Sequence, residues 1–524
     1  MAHSILRPAA ALTAISLAFA PGGIYPAPAA TAQVAPAVAI AAPTPVRAAA
    51  LQAVKTQAAK TSSASSALLK ERLRNTRARF AARFVYVPGV PKFDKLVNRE
   101  VRAAIRSTKR SYSPQAFPRG AGLGSRGCVA GSVTKWSAKK VMRRAATAPP
   151  KGRGTAVTCE VISASGSVIQ VAMRTVAGSR TRITRDATRT YYADVRTGAA
   201  GKVGALWRSS TPKKLWTAAV AKQIRRAGGS GTDPIADPGK AQLKLARQAL
   251  AAAKNRSDGD LSARLPAGLV APELAALGIE RTAEPTPVRI DEKTANGWAS
   301  KVGKLLRGAV GKRFVGVKAK RSSVELDCRL LPCVALTYDD GPGPYTGALL
   351  STMRKREARI TLFMVGSRVP ARRSIVRRAV VDGHEIGSHT MTHPDLTGLS
   401  LGAARAQVRD AAAAIRSASK KRVRIFRPPY GAVNSGIIDA VGMPAILWSV
   451  DTEDWKRPGE RALIARSVPV VKPGGIILFH DIHPDSVNVA NSVVSGLRDR
   501  GFELVTVSQL FGGKVPVKRI TSRG

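Results

Sequence analysis

Val334-Ala335-Leu336-Thr337-Tyr338-Asp339-Asp340-Gly341-Pro342 is an apolar run that ends in two adjacent carboxylates and a turn. Short apolar runs recur downstream at 360–365, 384–388, 424–427, 445–450, 475–479 and 502–507. Helix-like segments separate them at 346–357, 371–382, 401–419, 459–468 and 487–500. Strands buried on both faces read as such continuous runs, and strands alternating with helices predict a parallel α/β sheet, open or closed into a barrel. In either form the active site belongs at the carboxyl ends of the strands. The polar residues of this region fall there.

Histidine is scarce and clustered. Of six histidines, five lie between His384 and His483, and the only Asp-Asp doublet, Asp339-Asp340, ends the first strand of the same segment. His389 and His393 are four residues apart, which puts both imidazoles on one face if the segment makes a helical turn. Two imidazoles and one carboxylate make a hydrolytic metal site with open positions. With Asp340 as the third ligand, Asp339 stays free to accept a proton.

Five stretches then match a family in order: Thr337-Tyr338-Asp339-Asp340-Gly341-Pro342, Ser388-His389-Thr390-Met391-Thr392-His393-Pro394, Arg427-Pro428-Pro429-Tyr430-Gly431, Asp451-Thr452-Glu453-Asp454-Trp455 and Ile477-Leu478-Phe479-His480-Asp481. They resemble the motifs of the polysaccharide deacetylases, carbohydrate esterase family 4, over about residues 331–511. Tyr338 stands where phenylalanine is commoner in the family. The resemblance implies an irregular (β/α) barrel and a divalent metal held by Asp340, His389 and His393, zinc first, with cobalt or nickel as alternatives. It implies Asp339 as general base, His480 as general acid, Arg427 as the partner of Asp339, and Asp451 as the partner of His480. The backbone N–H of Tyr430 would help hold the oxyanion, and Trp455 with Leu478 would wall the acetyl pocket. His384 and His483 fall outside the ligand set and are read as structural or rim residues; Asp454 and Asp481 are read as supporting or structural.

Outside this region the composition sets bounds. Hydrophobic residues make up 44% of the 524, which excludes a wholly disordered chain. No apolar run reaches the roughly 18–20 residues of a membrane span. Arg7 precedes an apolar stretch broken by Pro21-Gly22, and Ala30-Thr31-Ala32 offers a cleavage site, so residues 1–32 read as a secretory signal. Export permits disulfides, and Cys128–Cys159 and Cys328–Cys333 are the expected pairs. A metal site is the weaker reading of the last two, since no second thiol pair matches their spacing.

Residues 33–79 read as an Ala/Pro/Ser-rich linker followed by a helix through Leu68, Leu69 and Leu73. Residues 80–330 read as a basic α+β region without histidine and without visible catalytic chemistry. It contains a strand at 84–87, a helix through Phe93, Leu96, Val97, Val101, Ala104 and Ile105, a hairpin of 157–163 with 167–174, and a strand pair near 190–195 and 204–207. The 87–105 strand-turn-helix and the 190–198 strand resemble the non-catalytic domain that precedes the barrel in some secreted peptidoglycan deacetylases. The catalytic domain is expected at 331–512 and a basic tail at 513–524.

Lys and Arg total 85 against 33 Asp and Glu, a formal charge of +52. Residues 334–512 carry 24 basic and 16 acidic residues and the tail adds four cations, which leaves +40 on residues 1–333. Such a field attracts polyanions and is screened by salt. Nucleic-acid readout is not expected, because the basic region lacks interleaved aromatics. The expected protein is a secreted or wall-associated, metal-dependent N-deacetylase of cell-wall N-acetylhexosamine, peptidoglycan first. Chitooligosaccharide deacetylation, acetylxylan esterase activity, and a wall-binding protein with an inactive barrel are the alternatives.

Overall fold

The structure is a computed structural model that describes residues 66–524 apart from 122–125, 204–205, 257 and 524. The expected secretory signal and most of the linker lie outside the described residues. Among the described residues no helix is long and apolar enough to cross a membrane.

The chain enters a six-stranded sheet in sequential order: β1 (Leu69–Asn75), β2 (Phe80–Tyr86), β3 (Arg153–Ser165), β4 (Val168–Ser179), β5 (Ile183–Asp194) and β6 (Ala200–Lys202). β2 and β3 pair in parallel and the other neighbours antiparallel. The expected helix around Leu69 and Leu73 is instead strand β1, paired from Leu69 to Asn75 with β2. Leucines four apart suit either a helix or two strand repeats; here Leu69, Glu71, Leu73 and Asn75 alternate inward, a period of two. The domain therefore starts before residue 80. The helix Pro91–Arg106 buries Phe93, Val97, Val101, Ala104 and Ile105. Each of its larger apolar side chains contributes about 1.5–3 kcal/mol by leaving water. Cys128 is bonded to Cys159 of β3, which ties the long β2–β3 connection to the sheet, and Cys328 is bonded to Cys333.

A smaller sheet follows, with β7 (Lys254–Asn255), β8 (Leu261–Leu265) and β9 (Thr286–Ile290) antiparallel. The helices Thr211–Arg226 and Lys240–Ala252 close its core through Leu215, Trp216, Ala246 and Leu250. The expected strand at 204–207 is reduced to a single bridge from Trp207 to Ala299; 204 and 205 lie outside the described residues.

The last sheet is parallel, in the order β12 (Glu385–Ser388), β11 (Thr361–Met364), β10 (Cys333–Gly341), β15 (Ile476–His480), β14 (Val450–Asp451), with β16 (Glu503–Val505) on the start of β10. Its ladder is not closed. The expected strand at 424–427 is reduced to single bridges at Phe426, which join β12 to β13 (Ala445–Ile446). Residues 513–524 are not a free tail: β17 (Arg519–Ile520) pairs in parallel with β13, and Ile520 is buried.

Alternation along these strands explains the placement of the site. Val334, Leu336 and Tyr338 of β10 share one core with Ile360, Leu362, Phe479 and the covering helices. Ala335 shares another with Phe363, Ile425, Ile446, Ile476 and Val505. Residues two apart on a strand face the same way. The second set therefore continues upward as Thr337 and Asp339, as Arg427, and as Leu478 and His480.

Candidate active site

β10 and β15 run in register, so that Asp339 lies opposite His480 at their carboxyl ends. Neighbouring residues of an extended strand point to opposite faces, and Asp339 and Asp340 would diverge. The β10–β11 pairing shifts register between Tyr338 and Gly341, and Asp340 takes a left-handed φ of 69°. That turn brings both carboxylates to one end. A side chain at Gly341 would meet the carboxylate of buried Asp481 at 2.5 Å, so any larger residue after the doublet would have to displace that side chain.

The segment from His389 to His393 is not a helical turn. Thr390 and His393 have positive φ, 64° and 66°, and Gln407 Oε1 accepts the N–H groups of Met391 and Thr392. This irregular loop still brings the two imidazoles together: each Nε2 lies 3.3 Å from Asp340 Oδ1. Backbone strain of this kind persists where the surroundings impose it, typically at functional sites.

The ligand atoms of Asp340, His389 and His393 all lie within 4.8 Å of one another. Asp340 Oδ1 is buried without a hydrogen-bond partner. His389 Nδ1 lies 2.7 Å from the carbonyl oxygen of Arg427 and so donates there, which leaves a lone pair on Nε2 facing that oxygen. Acceptors that face each other at such distances fit a cation between them, and one carboxylate oxygen with two imidazole nitrogens suits a divalent metal.

Arg427 is fully buried and each of its three side-chain nitrogens donates. Nε donates to Ile446 O at 2.9 Å, Nη2 to Leu447 O at 3.0 Å, and Nη1 to Thr337 Oγ1 at 2.9 Å and Asp339 Oδ1 at 2.8 Å. The guanidinium stacks over Phe363, 4.3 Å from the ring centroid. Asp339 is thereby fixed on one oxygen, while its Oδ2 lies 3.9 Å from His389 Nε2.

The partner of His480 is Asp454, which corrects the expectation for Asp451. Asp454 Oδ1 lies 2.7 Å from His480 Nδ1, and Oδ2 accepts the His480 backbone N–H at 2.6 Å and the Ser486 hydroxyl. Asp451 is exposed and accepts the backbone N–H of Glu453. The physical reason is the left-handed Glu453, φ 50°, which turns the chain so that Asp454 is buried. Burial disfavours the charged imidazole, but the hydrogen bond and charge of Asp454, helped by Asp339 and Asp340, raise His480 to about 9.

The remaining candidates occupy the rim or the core. Tyr430 has a left-handed φ of 61° and is 72% exposed, with its ring edge-on to His393 at 5.0 Å. Trp455 is 56% exposed, whereas Leu478 is buried in β15. His483 lies beside His480, with ring centroids 5.9 Å apart. His384 is buried at the start of β12, at the opposite strand ends, and its Nδ1 accepts from Ile360 N. Arg368, which no motif marked, donates to the Asp340 carbonyl at 2.8 Å.

Comparison with known proteins bears on this arrangement. A family model described as polysaccharide deacetylase matches residues 328–443. A peptidoglycan N-acetylmuramic acid deacetylase of Bacillus subtilis is 38% identical over 178 residues, 34% of this chain and 38% of that protein. A peptidoglycan N-acetylglucosamine deacetylase of Listeria monocytogenes is 31% identical over 234 residues, 44% of this chain and 48% of its own length. A chitooligosaccharide deacetylase of Sinorhizobium fredii is 36% identical over 196 residues, 34% of this chain but 91% of that protein. The chain thus spans less than half the length of the first two relatives.

Proposed function

Since the chain belongs to the polysaccharide deacetylases of carbohydrate esterase family 4, hydrolases of polysaccharide N-acetyl groups, we propose that it is a metal-dependent N-deacetylase of peptidoglycan. The observation that carries the reading is the convergence of Asp340, His389 and His393 beside an Arg427-held Asp339 and an Asp454-held His480. Asp340, His389 and His393 would hold a divalent cation, zinc first, with cobalt or nickel able to use the same donors. A cation bound there supplies Lewis acidity to a water and to the acetamide carbonyl.

The chain's own residues account for the proton traffic. Asp339 keeps Oδ1 on Arg427 and accepts the proton of the attacking water at Oδ2. His480 donates to Asp454 from Nδ1, so that Nε2 carries the second proton to the departing amine. With its pKa raised to about 9, the imidazole is protonated at neutral pH and suited to act as the acid. The Tyr430 backbone N–H is assigned to the oxyanion, and Trp455 and Leu478 to the acetyl pocket. Acetate leaves and an amino sugar remains.

Peptidoglycan is preferred over chitooligosaccharide because two of the relatives act on it and because the +40 of residues 1–333 suits an anionic wall. That preference carries with it a secreted or wall-associated location, an irregular (β/α) barrel as the catalytic domain, and electrostatic association with wall polymers. Acetate release from peptidoglycan, chitin oligomers and acetylxylan, with and without chelator, tests it. Turnover of chitin oligomers alone would transfer the reading to chitooligosaccharides; turnover that ignores chelator would remove the metal.

A further inference from the structure

At the seam between the six-stranded sheet and the parallel sheet lies a second charged site. Lys70 of β1, Arg126, Arg321, Arg356 and Arg498 line a cavity of about 560 Å3, and Asp499 is the acid among its lining residues. The nearby carboxylates are committed or exposed. Glu503 is buried and spans Arg321 Nη2 at 2.6 and 2.8 Å. Glu71, beside it, is pushed well above the usual carboxylate range by burial and by Glu503, against the pull of Arg321 and Arg126. Glu357 is exposed and accepts the Arg321 backbone N–H.

The cations are left with unfilled capacity. Arg356 Nη2 donates to Ser495 Oγ at 2.8 Å and Arg498 Nη2 to Glu357 O at 3.2 Å, yet the Nε of both is buried without a partner. An unsatisfied buried donor costs about 1–3 kcal/mol, and more when charged. Burial, with repulsion from Arg321, Arg356 and Arg126, also lowers Arg498 to about 10. An anion with several acceptor oxygens in the cavity offsets the repulsion among these cations, and a phosphate group matches the planar fork of a guanidinium.

We propose that this cavity binds a phosphate group, free or within a phosphodiester polymer, through Arg356 and Arg498, with Lys70 and Arg126 adding charge. Arg356 precedes β11 and Arg498 precedes β16, so the site lies at the amino ends of the strands, opposite the candidate catalytic residues. Occupancy there leaves the glycan face free and clamps the first sheet to the parallel one.

The test uses the full chain at 0.15 M salt, with inorganic phosphate and a glycerol-phosphate oligomer as separate probes. Calorimetry gives stoichiometry, and hydrogen exchange reads Leu69–Asn75 and Ala490–Asp499. One site per chain with slowed exchange in both segments is expected from at least one probe, and which probe acts tells free phosphate from polymer. K70Q/R356Q should weaken binding at least tenfold with acetate release unchanged; K70Q alone, near solvent and outside the core, should weaken it severalfold. K244Q/R247Q removes the same charge from the exposed face of the helix Lys240–Ala252 and should leave binding intact. Equal weakening by both double variants, or no protection at the seam with either probe, overturns the proposal.

Discussion

Asp454 holds His480 at two points, its backbone N–H at 2.6 Å and its imidazole Nδ1 at 2.7 Å. The carboxylate thus sets where the imidazole points, which tautomer it adopts and how tightly it keeps its second proton.

Activity that depends on protonated His480 should therefore persist to about pH 9 and decline above it. Asp454→Asn removes the charge that raises this value, so the alkaline limb of kcat/KM should move down toward the ordinary imidazole range near 6.5. Asp451→Asn should leave the limb in place. The raised pKa also means that protonated His480 stabilises the fold at pH below its unfolded value and loses that contribution as pH rises through about 9. A pH profile in which Asp451→Asn shifts the limb and Asp454→Asn does not would reverse the assignment.

The adjacent aspartates are expected to separate in a metal assay. Asp340→Asn replaces a charged ligand with a poorer one, and metal content and turnover should fall together. Asp339→Asn keeps the ligand set and should retain its metal while losing roughly 10²–10⁴-fold in kcat. Metal analysis beside kinetics decides; loss of metal from Asp339→Asn with both properties kept by Asp340→Asn contradicts these roles.

Arg427→Met leaves Asp339 buried and uncompensated, which costs about 3–5 kcal/mol. It also frees Ile446 and Leu447 carbonyls that Arg427 now satisfies. The urea midpoint should drop sharply along with activity. Wild-type stability in this variant would mean that the buried pair is not needed to fold the strand ends.

Much of this was legible in the chain. The rhythm of apolar runs after Cys333 located the parallel strands, and 401–419 coincides with the helix Leu401–Ser419. Asp340, His389 and His393 do meet. What eluded the reading was set by backbone detail rather than residue type. Asp451 and Asp454 both had the right chemistry, and only the left-handed Glu453 decides which one is buried against His480. The H-x3-H spacing suggested a helical turn, whereas two positive-φ residues and Gln407 shape the loop. Leu69 and Leu73 satisfied helix and strand alike, and the short, basic β17 offers too few apolar residues to announce a strand.

β17 is expected to matter for catalysis at a distance. Leu447 N–H donates to Ile520 O at 2.7 Å, and Leu447 O in turn accepts from Arg427. Deleting residues 515–524 should lower both the urea midpoint and acetate release. Ile520→Ala should cost about 2–5 kcal/mol for the buried methyls. Unchanged stability and turnover in the deletion would show that the segment is dispensable.

The inward column Ala335, Thr337 and Asp339 has a consequence for mutational tolerance. Substituting the outward Val334 or Leu336 by another aliphatic changes packing by a methyl or two, a repairable defect. Deleting one residue inside β10 flips every later side chain to the opposite face, sending Asp339 toward the helices. Libraries built on this scaffold should therefore survive side-chain diversity in that strand and be extinguished by single-codon deletions, a sharper contrast than in the surface loops.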